Sequence, residues 1–446
     1  MDELWIILEL EVINISCTAS GSDIHRVIQI DFSSISAFLK GLSTYPQPLR
    51  LRLRIFNIFF LYKHTHQAVR KGELSTIMKL VFDKADLVKS VAIAMKAVSG
   101  KTTMPILQCI LIDATSNQIK FTSNDMELGI ETIATGMILE RGMIALDAKI
   151  FSEIVRKLPD NQVTIETDEN LVTTITCEKA NFNIPGLSGE DFSYLPILET
   201  SDCVSISQFT LKELIRQTIF SIAANENNKL MTGELFEIKD NTLRVVSLDG
   251  HRIAIRKMEL KASYPDRKVV VPGKTLNEIS KILSGEVDDQ VDLYFSENHI
   301  MFKFDDTTVV SRLIDGEYFR IDQMLSSDYE TKVTINKKEF LNCIDRATLL
   351  VKEGDKKPII IDIQDGAMEL QINSAMGSMK EEIDIEKEGK DIMIGFNPKF
   401  LIDALRVIDD EEISIYLVNP KAPCFIRNED ESYIYLILPV NFNSVR

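Results

Sequence analysis

The chain has 446 residues, of which 45% are hydrophobic and 26% are charged, and this composition is typical of a folded globular protein and not of a disordered one. The formal net charge of −17 argues against a uniformly basic nucleic-acid binder, because such binding depends on Lys and Arg side chains that neutralise phosphates. Net charge does not tell where the charges lie, so a local basic surface stays open.

The cysteines predict reduced thiols in a cytoplasmic protein. There are six, and no two of them form a CxxC pair, whereas metal sites and redox dithiols need close spacing. No metal and no cofactor is therefore predicted. No apolar run reaches the roughly 18 residues of a membrane span, so no membrane partner is predicted either.

Residues 1–77 differ from the rest of the chain. The segment Arg50–Lys71 mixes basic residues with large apolar ones, and no short apolar core follows a basic start as in a signal peptide. His64 and His66 have no nearby Cys or carboxylate, so we interpret them as a solvated pair and not as metal ligands. We expect an atypical, poorly ordered N-terminal extension, explained by a translation start placed too far upstream, and a folded protein that begins near Met78.

A repeat of about 126 residues follows, and internal repeats determine the fold. Three segments combine a strand, an N-cap and an amphipathic helix, and the predicted N-caps, 127 and 126 residues apart, are Asp83, Thr210 and Asn336. A second strand-to-helix step recurs at 125 and 124 residues, and its equivalent positions are Asp147, Pro272 and Phe396.

Alternating strands lie between these helices and are bounded by Asn, Asp and Gly turn signals. Strands that outnumber helices in each repeat predict an α+β fold of three repeated domains, with antiparallel sheets and helices packed on one face. The predicted organisation is an extension at 1–77 and domains at 78–202, 203–328 and 329–446.

The predicted helices are basic although the chain is acidic. They carry fifteen Lys or Arg and seven Asp or Glu, a charge of +8, and they span residues 84–98, 148–158, 211–224, 274–283, 337–351 and 398–408. Helix propensity explains Lys and Arg but favours Glu about equally, and Glu is scarce here. If the helices share one face, that face attracts phosphates, and without a base-reading motif it would contact the backbone only. The helical candidates are Lys96, Arg216, Lys274, Lys281 and Arg346.

No phosphate-binding loop, dinucleotide fingerprint, nucleophile elbow or zinc-protease motif occurs in the chain. The best polar group is Ser247–Arg252, where Asp249 and His251 could form a general base. Because Asp-Gly is a strong hairpin dipeptide, we interpret this segment as a turn and predict no catalytic residue. A hydrolase centred on this pair stays as an alternative.

Five segments resemble landmarks of the bacterial beta sliding clamp family, in the family's order. They are TMPIL at 103–107, MTGELFE at 231–237, LDGHRIA at 248–254, LIDGEYF at 313–319 and LILPV at 436–440. The resemblance runs from Met78 to the C-terminus. It implies a non-catalytic head-to-tail homodimeric ring, with helices lining a central pore that encircles duplex DNA. Implied partners are the replicative polymerase, the clamp loader and other proteins with a clamp-binding motif. A nucleic-acid-binding or regulatory scaffold that forms no ring is the alternative.

The resemblance also implies site residues. DNA contacts would be Lys101, Lys149, Asn225, Lys229 and Leu230. A pocket for a partner peptide with Gln, Leu and an aromatic residue would be lined by Met231, Leu248, Gly250, His251, Arg252, Ile253, Phe319, Gln323, Met324, Pro420, Pro423, Leu436, Leu438, Pro439 and Val440. Dimer contacts would be Phe182 and Ile184 on one face and Leu349 and Leu350 on the other. The family often has Thr at the position of Leu248 and Pro at that of Phe319, which leaves the pocket's shape open.

Overall fold

The structure, a computed structural model, describes residues 78–442 except 101, 199–202, 225–227, 326–327 and 352–356. The expected N-terminal extension, with the His64 and His66 pair, therefore lies outside the described residues. In the part of the chain that is described, no helix is long and apolar enough to cross a membrane. The same residues contain no cluster of His, Cys, Asp and Glu that could hold a metal ion.

Domain 1, as the sequence delimits it, contains nine strands and two helices among its described residues. These are β1 (Met78–Asp83), α1 (Lys84–Ala94), β2 (Cys109–Asp113), β3 (Ile119–Asn124), β4 (Leu128–Ala134), β5 (Met137–Glu140), β6 (Met143–Asp147), α2 (Ala148–Lys157), β7 (Gln162–Thr167), β8 (Val172–Cys177) and β9 (Ala180–Ser188).

Domain 2 repeats this order with two long strands in place of five shorter ones. Its elements are β10 (Cys203–Ser207), α3 (Gln208–Thr218), β11 (Gly233–Leu248), β12 (Arg252–Pro272), α4 (Gly273–Ile282), β13 (Gln290–Phe295), β14 (His299–Phe304) and β15 (Thr307–Arg312).

Domain 3 returns to the pattern of domain 1. It comprises β16 (Thr331–Asn336), α5 (Lys337–Thr348), β17 (Ile359–Gln364), β18 (Ala367–Ser374), β19 (Gly377–Asp384), β20 (Glu386–Gly389), β21 (Ile392–Phe396), α6 (Pro398–Val407), β22 (Glu412–Leu417), β23 (Cys424–Arg427) and β24 (Tyr433–Ile437). The α+β fold of three repeated, antiparallel domains is thus confirmed.

One predicted helix start is wrong by three residues, because the expected cap was Thr210. Helix α3 begins at Gln208 because the Ser207 hydroxyl accepts a hydrogen bond from the Thr210 amide at 3.1 Å. Helix α6 begins at Pro398, as predicted, and is capped by Asn397, one residue after the repeat position Phe396. The predicted cap Asn336 is confirmed, since its side chain accepts a bond from the amide three residues on, and the repeat position Asp147 caps α2 in the same way. Asp83 stands at the N-cap position of α1 as predicted, but its side chain forms no capping hydrogen bond.

Each domain has its own apolar core between its helix pair and its sheets. The helices contribute Leu87, Phe151 and Leu276, each four residues after the repeat positions Asp83, Asp147 and Pro272, and all three are fully buried. In domain 1 the core also stacks aromatic rings edge to face, Phe82 on Phe121 and Phe121 on Phe151.

Sheets run continuously from one domain into the next. Strand β4 pairs antiparallel with β15, which joins domains 1 and 2, and β12 pairs antiparallel with β24, which joins domains 2 and 3. In both junctions the second strand of a hairpin (β4 of the β3–β4 hairpin, or β12 of the β11–β12 hairpin) pairs with the last strand of the following domain. The counterpart of β4 and β12 in domain 3 is β19, which pairs only with β18 among the described residues. The counterpart of β15 and β24 in domain 1 is β9, whose first half pairs only with β8 among the described residues.

Candidate functional site

The second helix of each domain carries a basic residue at the same two positions. Counted from the N-caps at 147, 272 and 397, the second helical residue is Lys149, Lys274 or Lys399, and the ninth is Arg156, Lys281 or Arg406. Positions seven apart are two turns apart on one side of a helix, about 10 Å along its axis. The sequence analysis missed Arg156, Lys399 and Arg406 as candidates, and the repeat spacing of 125 residues was the signal that identifies them.

These cations differ in their partners. Lys149 and Lys399 are exposed and form no ion pair within the described residues. Lys274 pairs with Asp125 of domain 1, and Lys281 pairs with Glu278 at 2.7 Å. Lys149 of α2 and Lys399 of α6 are therefore the cations most available to bind phosphate.

The remaining predicted DNA contacts are scattered in their settings. Lys229 is exposed on a short 3-10 helix, whereas Leu230 is half-buried and packs inward against an apolar cluster. Lys96 lies 3.9 Å from Glu278 across the junction of domains 1 and 2. Lys101 and Asn225 lie outside the described residues.

Arg216 and Arg346 are already committed to carboxylates. Arg216 binds Glu213 on its own helix and Asp409 of domain 3, the latter at 2.9 Å. The Arg346 guanidinium hydrogen-bonds Glu381 and thereby lowers the pKa of that carboxyl. Because both cations connect parts of the fold, we leave them out of the proposed DNA contacts.

Five pocket residues predicted from the sequence come together in one apolar cluster at the junction of domains 2 and 3. They are Met231, Leu248, Ile253, Phe319 and Leu436. At its centre a row of directly opposed residues crosses five strands, from Tyr416 to Phe425, Leu436, Ile253 and Leu248. We call this the peptide row. Sequence reasoning missed Tyr416 and Phe425, although each faces a predicted member across the sheet.

The peptide row is covered in this structure, because each of its side chains is 9% exposed or less. Seven other predicted pocket residues are more exposed, and we call them the rim: Gln323, Met324, Pro420, Leu438 and Val440 are exposed, and Pro423 and Pro439 are half-buried. The side chains that pack on this cluster, among them Met231 and Phe319, are half-buried, so a peptide side chain would reach the row only if they moved aside.

Arg252 holds the junction together beneath this surface. Its guanidinium donates to Asp249 at 2.9 Å, to Asp403 of domain 3 at 2.7 Å and to the Phe220 carbonyl at 2.6 Å. It also lies 4.6 Å from the centre of the Phe400 ring. Because each of its three guanidinium nitrogens donates a hydrogen bond within the protein, Arg252 links the two domains and is not free to contact a peptide.

The Asp249–His251 pair lacks the geometry of a general base. One Asp249 carboxylate oxygen accepts from the backbone amides of His251 and Arg252, and the other accepts from the Arg252 side chain. The His251 ring instead stacks on Phe400 with centroids 6.0 Å apart, and Gly250 adopts the left-handed φ of +87° that this turn requires. The segment is a turn, as predicted.

Two of the predicted dimer residues lie in the half of β9 that pairs only with β8, and the other two follow α5 close to the start of β19. Phe182 is 40% exposed and Ile184 is half-buried, both in the first half of β9. Leu349 is 75% exposed after α5, and Leu350 reaches the turn where β19 begins, near Gly377. Apolar side chains at an exposed edge indicate a surface that is covered in an assembly.

Glu234 is a buried acid in domain 2. Its side chain is fully buried at the start of β11, and neither carboxylate oxygen has a hydrogen-bond partner in the described structure. Burial raises its pKa to about 8, and the nearby Thr218 hydroxyl opposes only part of this effect. Burial therefore favours the neutral, protonated form of Glu234.

Comparison with known proteins gives consistent matches over the described domains. Models of the N-terminal, central and C-terminal domains of the DNA polymerase III beta subunit match residues 78–196, 205–319 and 322–441. The chain is similar to beta sliding clamps of Staphylococcus aureus, at 35% identity, and Staphylococcus epidermidis, at 34%. Each alignment spans 357 residues, 78% of this chain and 94% of the relative.

Solved structures are similar over the same region. A DNA polymerase III beta subunit crystal structure from Eubacterium rectale is 70% identical with a TM-score of 0.80. The DNA polymerase sliding clamp of Bacillus subtilis is 36% identical with a TM-score of 0.79. Each match covers 82% of this chain and 100% of the other.

Proposed function

We propose that this chain, which belongs to the DNA polymerase III beta subunit family, is a non-catalytic sliding clamp of the cytoplasm that closes around duplex DNA as a homodimer and tethers a polymerase. The observation that carries the proposal is the pair of cations that each second helix repeats, among them Lys149, Lys274 and Lys399. Six such helices around a pore would present phosphate contacts without base readout.

The unused strand edges support a head-to-tail ring. Within one chain, β15 joins β4 and β24 joins β12, so one rule forms both junctions. The strands left without such a partner are β9 of domain 1 and β19 of domain 3. By the same rule they would pair with each other, and they belong to the first and the last domain of the chain. Two chains that pair β9 with β19 twice would close a ring with no free junction, which is a heterologous contact that closes by rotation.

The internal junctions also specify a register for this contact. At the first junction Val310 faces Gly129 and Val309 faces Ile130. In the equivalent hairpins, Asn183 and Phe182 occupy the positions of Val310 and Val309, and Ser378 and Met379 occupy those of Gly129 and Ile130. The expected pairs are therefore Asn183 with Ser378 and Phe182 with Met379. Since Val309 and Ile130 are fully buried at their junction, Phe182 and Met379 would be buried in the dimer.

A cysteine crosslink tests both the ring and its register. Directly opposed residues have Cα atoms about 5 Å apart, within reach of a disulfide. We expect a chain with Asn183→Cys and Ser378→Cys to form covalent dimers on oxidation. A control with Asn183→Cys and Glu382→Cys, four residues out of register, should not.

The same crosslink tests the function. After mixing with nicked circular DNA and oxidation, the closed dimer should stay on the DNA at high salt and leave when the circle is cut. Release from the intact circle at high salt would contradict encirclement, and a monomer at micromolar concentration would contradict the dimer.

We further propose that the peptide row receives a short partner peptide with a leucine and an aromatic residue. The row offers large apolar side chains at its centre and exposed rim residues, Met324 and Leu438 among them, at its border. This combination suits anchoring of a few side chains within a small contact area. The replicative polymerase, the clamp loader and other proteins with such a motif would share this site.

A further inference from the structure

The junction of domains 1 and 2 carries a counterpart of the peptide row. Cross-strand registers give the same order of five positions, and the residues there are Tyr294, Met301, Val310, Gly129 and Asn124. We call this the counterpart row. Its Tyr294, Met301 and Val310 form a separate apolar cluster, as Tyr416, Phe425 and Leu436 do within the larger cluster at the other junction.

The linker after domain 1 sits on the counterpart row. Leu195 and Leu198 pack against its apolar cluster. A Cβ added at Gly129 would collide with Leu195 Cδ2 and come within 3.3 Å of its Cγ. Asn124 fixes the same segment, because its side-chain amide donates to the Ser193 carbonyl at 3.2 Å. A leucine thus lies directly over the centre of the row, in the space that Ile253 fills at the other junction.

The linker after domain 2 lacks this leucine. The two linkers share Gly-Glu-x-Phe, at Gly189–Phe192 and at Gly316–Phe319, 127 residues apart, and Leu195 aligns with Asp322. Asp322 turns to the surface and pairs with Arg244 at 2.6 Å. Ile321 and Leu325 of this linker also pack within the cluster of the peptide row, but neither stands at the position of Leu195. The chain therefore places a leucine over the centre of the counterpart row and an aspartate at the equivalent position of the other linker.

The apolar character of these rows is not a general requirement of the sheet. The corresponding positions at the free end of domain 1 are Glu166, Thr174 and Asn183, which face one another in the same register. Their polar side chains include a hydrogen bond from Thr174 to Asn183 at 2.8 Å. Of these three rows, the apolar ones are the counterpart row, which Leu195 covers, and the peptide row, which by the proposed function receives the leucine of a partner peptide.

We propose that the junction of domains 1 and 2 is a second peptide site that the chain's own linker occupies, with Leu195 in the place of a partner's leucine. This inference rests on the proposed peptide function of the row at domains 2 and 3. It restricts each chain to one open site, because a partner peptide must displace a tethered leucine, which competes as an intramolecular ligand at high effective concentration.

The test counts bound peptides on the full chain by native mass spectrometry, with a synthetic six-residue peptide that contains Gln, Leu and Phe. We expect one peptide per wild-type chain and two per Leu195→Ala chain. The second should bind about tenfold or more weakly, since Asn124 and Gly129 replace Leu248 and Ile253. The matched control is Ile197→Ala, at a fully exposed linker position, which should keep one.

A folded Leu195→Ala chain that still binds one peptide would overturn the inference. Gly129→Ala gives a second approach, because its new methyl displaces Leu195 while the leucine remains. Limited proteolysis within the linker at 193–198 should then accelerate, whereas Ile197→Ala should leave its rate unchanged, and an unaltered cleavage rate in Gly129→Ala refutes the seating of Leu195. If wild type binds no peptide, the proposed peptide function fails, and the proteolysis experiment alone decides whether Leu195 occupies the row.

Discussion

Replacement of the buried acid Glu234 by glutamine should stabilise the protein at neutral and alkaline pH. Burial raises the pKa of Glu234 from 4.5 to about 8 in the folded state. Its contribution to folding is therefore fully favourable below pH 4.5 and is lost as the pH rises toward 8. At 1.36 kcal/mol per pKa unit, the loss reaches about 3 kcal/mol at pH 7 and about 5 kcal/mol above pH 8. Glutamine does not ionise, so Glu234→Gln should escape this loss.

The assay is urea unfolding of wild type and Glu234→Gln at pH 5, 7 and 8.5, at one protein concentration because the proposed dimer would make stability depend on concentration. The difference in unfolding free energy should be small at pH 5 and grow in favour of the variant with pH. Glu237→Gln is a matched control on the same strand. Glu237 pairs with Arg244 at 2.7 Å, so its loss should destabilise the protein. A pH-independent difference for Glu234→Gln would refute the reasoning.

Three further outcomes follow from the candidate surfaces. Lys149→Glu combined with Lys399→Glu should shorten retention on circular DNA and lower the slope of log affinity against log salt by about one per lost phosphate contact; an unchanged salt slope would exclude these helices from the DNA contact. Leu438→Asp should weaken fluorescent-peptide binding, seen as lower anisotropy, while Val287→Asp at a remote exposed position should not, and equal effects would contradict the peptide row. Arg252→Ala should lower the unfolding free energy by about 3 kcal/mol because it leaves two carboxylates without their cation, and calorimetry that shows no loss would contradict its structural role.

The fold could be predicted from the sequence because local signals and the repeat agree. Strand alternation, cap residues and apolar helix positions recur at one spacing, so each repeat supports the assignment of the others. The misplaced start of α3 shows the limit of local reasoning. Ser207 and Thr210 are both good caps, and their hydroxyls lie 2.8 Å apart, so only the strand that ends at Ser207 decides between them.

The charged site could be predicted only in part. A count of charges on helices identifies the basic set but not the partners of each cation. Arg216 and Lys399 look alike in the sequence, yet Arg216 meets Asp409, 193 residues away, and Lys399 meets no acid in the described chain. Pairing at such separations depends on how domains 2 and 3 pack, which no local pattern records.

The repeated second helices explain how a surface can hold DNA without gripping it. Between the two cations of each helix, at the sixth helical position, stands an acid: Glu153, Glu278 or Asp403. Glu278 forms ion pairs with Lys281 and Lys96, and Asp403 forms one with Arg252. Each helix therefore presents a small net positive charge and not a dense patch. Contacts of that kind attract phosphates in any sequence and are exchanged at little cost, so a closed ring built on them would rely on its topology, and not on affinity, to remain on the duplex.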